Sequence, residues 1–285
     1  MSLNFQIRKF NMDTLKQRCE IDSRKSPMIV VIGKKDTGKS FLVRDILANT
    51  QSCFPVGTVI SATELMNEFF QHMVPSKLIH DKYKPELVQN AIKRQYNIKS
   101  ARNNDKKARG GNSSIDPRAF LILDDCLYDN TWIQQESTRY VFMNGRHIDM
   151  MTIITMQYPL GITPNLRTNV DFIFILRETI TKNRRIIYEN YAGMFPTFEM
   201  FCQFMDQCTE DYNCIVICNG IQSNKLEDQV FWYRASDHPQ FRLCDDSLWV
   251  DNKPFTSAML AQDDYSPDMV KKKNAGPWVN VKKTG

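Results

Sequence analysis

Length, composition and charge allow one large folded domain. The chain has 285 residues, of which 42% are apolar and 24% charged, and its formal net charge is +5. That apolar content is enough to bury one substantial core, so we expect one domain with short extensions. No apolar run is long enough to cross a bilayer, and the first residues lack the apolar segment of a signal peptide. We therefore expect a soluble, intracellular protein with no membrane-spanning segment.

Apolar runs alternate with helical stretches along the chain, which is typical of an α/β fold with a mostly parallel central sheet. The predicted strands are residues 28–32, 58–61, 119–125, 151–156, 171–176, 214–219 and 230–234. The predicted helices are residues 39–48, 63–71, 85–99, 134–145 and 197–207. Because several strands are apolar at consecutive positions, helices should cover both faces of the sheet.

The positive charge is concentrated in two segments. Residues 99–118 hold six Lys or Arg against two Asp, and residues 271–285 hold five Lys and no acid. Part of the first segment, residues 102–117, is polar and glycine-containing and predicts a long flexible insertion. Clustered positive charge suits a polyanionic partner such as double-stranded DNA, although a solvated loop and tail explain the same pattern equally well.

Eight cysteines are expected to be reduced thiols, since nothing in the sequence indicates secretion. Four of them are close in sequence and raise the question of a zinc site: Cys202, Cys208, Cys214 and Cys218. Their spacing contains no CxxC pair, and the last two lie in the apolar run CIVIC, which predicts a buried strand. We interpret them as small buried side chains.

The strongest motif is a phosphate-binding loop between the first predicted strand and the first long predicted helix. Its sequence, GKKDTGKS, fits the pattern GxxxxGK[ST] in the context that the motif requires. In such a loop, backbone N–H groups surround the phosphates, glycines permit the tight path, and the helix N-terminus adds its positive end. The predicted nucleotide-binding residues are Gly33, Lys34, Lys35, Asp36, Thr37, Gly38, Lys39, Ser40 and Phe41.

Two residues of this loop have predicted roles in ATP chemistry. Lys39 should reach the β- and γ-phosphates, and the Ser40 hydroxyl should ligate Mg²⁺. The motif therefore predicts ATP and Mg²⁺ as cofactors and Lys39 as a catalytic residue.

The strand of residues 119–125 ends in two adjacent carboxylates, Asp124 and Asp125. Burying two like charges is costly unless a cation compensates, and Mg²⁺ beside a triphosphate supplies that compensation. We assign Asp124 to the magnesium ion and Asp125 to polarisation of the attacking water. Many motor ATPases have glutamate at the second position, so the shorter aspartate is a departure, and an exposed turn after a strand is the alternative.

Two further residues are candidates for catalysis. Gln157 directly follows the strand of residues 151–156, and it would face the γ-phosphate if that strand lies beside the phosphate-loop strand. A polar residue where a strand meets its loop is the alternative for Gln157. Arg146 is the candidate for an arginine that a neighbouring subunit supplies to the transition state. Three other arginines compete for that role: Arg139, Arg167 and Arg177.

Four motifs occur in one order along the chain: GKKDTGKS, FLILDDC, NGRH and IITMQYP. Together they resemble the genome-packaging ATPases of nucleocytoplasmic large DNA viruses, the poxvirus-type packaging proteins within the FtsK/HerA class of DNA-pumping motors. The resemblance covers about residues 28–220. It implies a RecA-like P-loop NTPase core, a homo-oligomeric ring, and ATP-driven translocation of double-stranded DNA into a preformed capsid.

The resemblance also gives expectations for the domain boundaries, the partners and the location of the protein. We divide it into an N-terminal extension of residues 1–27, a P-loop ATPase core of residues 28–220, and a C-terminal strand and basic tail of residues 221–285. The implied partners are double-stranded DNA, further copies of the chain, and a capsid or portal-vertex protein. The implied location is the viral assembly site in the host cytoplasm, or the virion.

Two other functions remain compatible with the motifs. A P-loop kinase or small-molecule NTPase would use the same phosphate loop, although it needs no second acid to activate water. A nucleotide-gated scaffold that docks to capsid proteins would hydrolyse ATP slowly as a switch. The effect of double-stranded DNA on the ATPase rate separates these hypotheses.

Overall fold

The computed structural model describes residues 6–126 and 131–255. Within these residues an eight-stranded sheet has helices packed on both faces, which confirms the predicted α/β class. The strands are β1 (Met28–Ile32), β2 (Val56–Ser61), β3 (Ile79–His80), β4 (Ala119–Asp124), β5 (Met150–Met156), β6 (Phe172–Ile175), β7 (Asn213–Cys218) and β8 (Val230–Arg234). The α-helices are α1 (Asp13–Arg18), α2 (Lys39–Asn49), α3 (Glu64–Asn67), α4 (Pro85–Ala108), α5 (Glu136–Asn144), α6 (Pro164–Arg167), α7 (Thr181–Tyr191), α8 (Phe198–Cys208) and α9 (Leu226–Gln229).

The strands follow the order β3-β2-β4-β5-β1-β6-β7-β8. The six strands from β3 to β6 run parallel, whereas β7 and β8 are each antiparallel to the strand before them. β1, which leads into the phosphate loop, lies between β5 and β6. The parallel strands therefore end at one common edge, where ligands bind in open α/β sheets.

β1 is apolar throughout because both of its faces are covered. Val30 belongs to the apolar cluster that includes residues of α4, α5, α7 and α8, and its neighbour Val31 belongs to the cluster with α1 and α2. All five residues of β1 are buried. Successive side chains point to opposite faces of a strand, so a strand with helices on both sides has no polar face.

The sequence prediction lacks the short elements α1, β3, α6 and α9, and it is wrong for one longer helix. The predicted helix of residues 63–71 is wrong beyond its first turn, because Glu68 has a φ of 49° and ends α3 at Asn67. The buried Glu64 carboxylate then accepts hydrogen bonds from the backbone N–H groups of Phe70 (2.9 Å) and Gln71 (2.8 Å), which fixes the following turn. The sequence pattern also missed α7, in which only Ile187 and Tyr191 are buried.

The predicted flexible insertion of residues 102–117 is wrong in its first part. α4 continues to Ala108, and the buried Arg102 fixes the chain that follows it. Its guanidinium donates to the backbone oxygen of Ile115 and, at 2.8 Å, to Asp22. The first basic segment is therefore a helix end with an attached turn, and one of its cations holds that turn in place.

Segments outside residues 28–220 also pack on the sheet. The Phe10 N–H donates to the Trp232 oxygen at 2.8 Å, and the Trp232 N–H donates to the Arg8 oxygen at 3.1 Å, so residues 8–10 lie along the free edge of β8. Leu15 of α1 is fully buried. The basic tail of residues 271–285 lies outside the described residues.

The sequence contains no apolar run long enough to cross a bilayer, and the helices of the structure were compared with that prediction. Among residues 6–126 and 131–255, no helix combines the length and the apolar character needed to cross a bilayer.

Gly57 of β2 offers a test of core packing. A Cβ atom at this position would lie 2.1 Å from the ring of Phe120, which is fully buried on β4. We expect Gly57→Ala to lower the free energy of unfolding by about 1–3 kcal/mol, because overpacking forces the ring to shift. Chemical denaturation measures the change. Gly193→Ala is the matched control, since nothing lies within 4 Å of its added Cβ. Equal stability of the two variants would contradict the packing described here.

Candidate nucleotide-binding site

The predicted site residues other than Arg146 assemble where β1, β4 and β5 end. The pairing places Ile32 opposite Met156, so the loop after β1 begins beside Gln157. It also places Asp124 opposite Thr155 on one side and Ser61 on the other. The strand that ends in Gln157 therefore lies beside the phosphate-loop strand, which is the condition attached to its predicted role.

The loop of residues 33–38 has the backbone that a phosphate cradle requires. A Cβ on Gly33 would lie 2.7 Å from both Leu176 Cδ1 and Thr37 Oγ1, so a larger residue does not fit there. Gly38 precedes α2 with a φ of 92°, in the left-handed region that favours glycine. The Thr37 hydroxyl donates to the Lys34 oxygen at 2.7 Å and closes the turn.

The N-terminus of α2 is open to an anion. No side chain forms a capping hydrogen bond there, and the side chain of Ser40 is exposed in the first turn. The exposed Lys35 and the half-buried Lys34 add positive charge on the same loop. Uncapped N–H groups together with nearby cations fit the phosphates of a nucleotide.

An ion pair joins the loop to the acid pair. Lys39 Nζ donates to both carboxylate oxygens of Asp125, at 2.6 and 2.7 Å, and Gln157 Nε2 donates to Asp125 Oδ2 at 3.0 Å. Lys39 is 8% exposed, so this contact is largely shielded from water. The structure thus brings together three of the four predicted catalytic residues.

Asp124 is held differently from Asp125. Its carboxylate accepts one hydrogen bond from Thr155 Oγ1 (2.6 Å) and one from Ser61 Oγ (2.8 Å). Burial raises the pKa of the Asp124 carboxyl above its usual range, against the lowering effect of these two hydroxyls. A carboxylate in such a place is stabilised by a cation, and carboxylate and hydroxyl oxygens suit Mg²⁺. Asp124 and Ser40 thus have the chemistry of magnesium ligands.

Thr155 also fixes the position of the neighbouring acid. Its hydroxyl oxygen accepts a hydrogen bond from the backbone N–H of Asp125 at 3.0 Å. Asp125 has a φ of 48°, and this left-handed turn directs its side chain to Lys39 while Asp124 remains between the strands. One buried hydroxyl therefore contacts both acids.

Lys34 has a partner on the other side of the loop. Its ammonium forms an ion pair with Glu178, a buried residue that follows β6. Burial alone would raise the pKa of Glu178, but hydrogen bonds from Lys34, the Ile180 N–H and Asn183 outweigh it and hold the pKa below its usual range. This charged contact connects the phosphate loop to the start of α7.

Arg146 does not lie with the other predicted catalytic residues. It precedes β5 and lines a small cavity with Met28 and Asp171, which lie at the amino ends of β1 and β6. Because the phosphate loop lies at the carboxyl ends, Arg146 cannot serve the site of its own chain. A role across a subunit contact stays a prediction. Arg177, by contrast, follows β6 at the same edge as the loop and is exposed.

Sequence reasoning missed three residues of the site: Ser61, Thr155 and Glu178. The first two are polar residues near the carboxyl ends of mostly apolar strands, which was the available signal, but their meeting at Asp124 depends on the strand order. The four cysteines considered above for zinc lie in α8 and β7. In the part of the chain that the structure describes, no group of three or more His, Cys, Asp or Glu side chains is arranged to hold a metal ion.

Comparison with known proteins identifies viral relatives. The chain is 39% identical over 212 residues to the uncharacterized protein L437 of Acanthamoeba polyphaga mimivirus, covering 74% of this chain and 73% of that protein. It is 40% identical over 208 residues to the uncharacterized protein 075L of Invertebrate iridescent virus 6, covering 73% and 76% of the two chains. No model of a known protein family matches the chain.

Two solved structures with bound nucleotide analogues are similar to this chain. The monomer of the pCW3 conjugation coupling protein TcpA with ATPγS aligns with 82% of this chain and 67% of its own, at 17% identity and a TM-score of 0.50. The genome-packaging NTPase B204 of Sulfolobus turreted icosahedral virus 2 in complex with AMPPCP aligns with 74% of this chain and 98% of its own, at 13% identity and a TM-score of 0.47. The likeness to TcpA shows a shared P-loop ATPase fold. Since nearly three quarters of the chain match the viral relatives at 39% and 40% identity, the chain belongs to the family of viral proteins that includes L437 and 075L.

Proposed function

We propose that the protein hydrolyses ATP at the loop of residues 33–40 and uses the energy to move double-stranded DNA into a preformed viral capsid. One observation supports the hydrolysis above all others. Lys39, Asp125 and Gln157 form a hydrogen-bonded cluster beside Asp124 at the edge where the phosphate loop lies. The motif resemblance and the viral relatives support the packaging role.

The ion pair between Lys39 and Asp125 gives the first step of the mechanism. The phosphates of ATP carry more negative charge than one carboxylate, so a bound triphosphate competes with Asp125 for the Lys39 ammonium. When Lys39 turns to the phosphates, Asp125 keeps the hydrogen bond from Gln157 and gains free lone pairs. The released carboxylate then accepts a proton from the attacking water.

Asp124 and Ser40 would hold the magnesium ion that accompanies ATP. When bound, Mg²⁺ neutralises charge that develops on the phosphate oxygens. Ser61 and Thr155 keep the Asp124 carboxylate in one orientation through hydrogen bonds of 2.8 and 2.6 Å. The same Thr155 hydroxyl keeps Asp125 in place, so both acids are positioned before ATP binds.

Assembly into a ring would complete the site. Since Arg146 lies at the opposite edge of the sheet from the loop, it reaches a site only in a neighbouring copy of the chain. A guanidinium supplied in this way stabilises charge on the transferring phosphoryl group. We propose Arg146 for this role, with Arg177 as the alternative because it follows β6 at the loop edge.

The proposal that the protein binds DNA is supported by a cation of residues 99–118 that no carboxylate of the described residues pairs with. Lys106 pairs with Asp22 at 3.0 Å, and Arg109 pairs with Asp105 at 2.7 Å. Lys107 on the same helix end is exposed and forms no ion pair within the described residues. Contact with DNA phosphates here would use Lys107 first and the paired cations by exchange. A capsid or portal-vertex protein, as a further partner, belongs to the same proposal.

Substitutions at Lys39 and Asp125 separate binding from turnover. We expect Lys39→Ala to weaken ATP binding and abolish hydrolysis, because Lys39 is the lysine that lies between the loop and the acid Asp125. Asp125→Asn should bind ATP at least as tightly as the wild type, since it removes a competitor for Lys39, and its kcat should fall about 100-fold or more. Calorimetry and a phosphate-release assay give the two quantities, with Lys16→Ala on α1 as an exposed-lysine control. Near-normal turnover in Asp125→Asn would refute its role as base.

Mixed assemblies test the arginine from a neighbouring subunit. Arg146→Ala should bind ATP normally but fail to hydrolyse it. Mixing it with Asp125→Asn should restore part of the activity, at contacts that pair an intact Arg146 with an intact Asp125. Phosphate release is measured over a series of mixing ratios, with Arg177→Ala as a parallel variant. If Arg177→Ala loses activity while Arg146→Ala retains it, the role belongs to Arg177.

The DNA proposal predicts a change in salt dependence. Lys107→Ala should reduce the log-log slope of DNA affinity against salt by about 0.9, as expected for one lost phosphate contact. The triple substitution of Lys106, Lys107 and Arg109 by Ala should reduce it further and lower DNA-stimulated ATPase, while basal hydrolysis persists. Lys93→Ala, an exposed lysine nearer the start of α4, is the matched control.

The opposite outcomes assign the basic segments elsewhere. An unchanged slope in the triple variant would identify residues 99–118 as a solubilising segment. Deleting residues 271–285 and losing capsid association, with DNA stimulation intact, would assign the tail to the capsid. A wild-type ATPase rate that does not respond to DNA at all would favour a small-molecule NTPase or a slow switch.

A further inference from the structure

A cavity of about 540 Å³ opens beside the phosphate loop, away from the acid pair. It is lined by Gly38, Phe41, Tyr212, Arg234, Ala235 and Asp237. Gly38 and Phe41 belong to the loop and the first turn of α2, whereas the others come from the turn before β7 and from the end of β8. The cavity volume is within the range of small-molecule sites.

Two aromatic side chains border this cavity and are exposed. Tyr212 is 68% exposed and Phe41 is 41% exposed. A Cβ placed on Gly38 would lie 3.3 Å from Tyr212 Cδ1, so the tyrosine ring lies against the loop. Exposed aromatic surface beside a cavity is a mark of a binding site.

The backbone that presents Tyr212 is strained. Asp211 and Tyr212 have φ values of 50° and 62°, so two successive residues other than glycine are in the left-handed region. This arrangement is costly for an aromatic residue and persists where the surrounding structure enforces it. Here the Asn213 N–H closes the turn on the Glu210 oxygen at 2.9 Å, at the start of β7.

The opposite wall of the cavity is fixed to α2. Arg44 donates to Asp237 at 3.0 Å and to the His238 oxygen at 2.6 Å. The fully buried Asp45 accepts from Tyr233 at 2.6 Å and contacts the His238 ring at 2.5 Å. These contacts hold the segment after β8 against α2 and fix this wall of the cavity.

We propose that this cavity binds the base of the nucleoside triphosphate, with the base stacked on Tyr212 and Phe41 at its rim. The inference rests on the proposed ATP binding at the loop, because the phosphates must occupy residues 33–40 for the base to reach the cavity. Its polar lining residues, Arg234 and Asp237, are exposed, and Asp237 is already paired with Arg44. Stacking therefore supplies the affinity, and purines bind better than pyrimidines because their rings are larger.

Calorimetric titration of the full chain with two probes, in the presence of Mg²⁺, tests the proposal. ATP carries the base, and inorganic tripolyphosphate carries the phosphates alone. Tyr212→Ala should weaken ATP binding roughly tenfold, which corresponds to the loss of one aromatic stack, and leave tripolyphosphate binding unchanged. Tyr212→Phe should behave as the wild type. CTP should bind the wild type less tightly than ATP or GTP, and that preference should shrink in Tyr212→Ala.

Tyr96→Ala is the matched control, since Tyr96 is 51% exposed on α4. Equal affinity of Tyr212→Ala and wild type for ATP would overturn the proposed base site. A parallel loss of ATP and tripolyphosphate affinity would also overturn it, because Tyr212 would then act through the loop backbone. Failure of both probes to bind the wild-type chain would instead refute ATP binding at the loop itself.

Discussion

The parallel alignment of β4, β5 and β1 is the constraint on which the site depends. It puts Asp124 level with Thr155 and brings the start of the phosphate loop level with the end of β5. A shift of one residue in either pairing would turn the alternate side chains to the other face and separate the two acids from their hydroxyl partners. The apolar residues that both helical layers cover fix that alignment, so the core and the geometry of the candidate site have the same origin.

The ion pair between Lys39 and Asp125 also fixes the positions of side chains in the site. Without a counter-charge, a lysine this shielded from water would be destabilised, and the carboxylate supplies one in the absence of phosphate. The same contact holds Asp125 toward Gln157. Lys39, Asp125 and Gln157 are therefore already in contact with one another, as the proposed mechanism requires before a triphosphate binds.

Much of this arrangement could be predicted from the sequence, and the exceptions have physical reasons. The strands other than β3 were predictable because buried strands are apolar runs, and the phosphate loop because its chemistry requires fixed residue types. Ser61 and Glu178 were missed because their partners are distant in sequence and meet only through the strand order. The edge that Arg146 occupies could have been anticipated: it precedes a strand, whereas Gln157 follows one, so the two lie at opposite edges. The sequence has Asp125 where many motor ATPases have glutamate. The backbone φ of 48° at this position explains the choice, because aspartate tolerates the left-handed region better than glutamate.

The edges of the sheet limit how copies of the chain can associate. On one side, residues 8–10 lie along β8 and use backbone groups that another strand would otherwise pair with. On the other side, β3 has only two residues, which is too short to template a neighbouring strand. A continuous sheet running from subunit to subunit is therefore disfavoured. Subunits of a ring would meet through helices and loops, and such contacts can slide or rotate during an ATP cycle without breaking backbone hydrogen bonds.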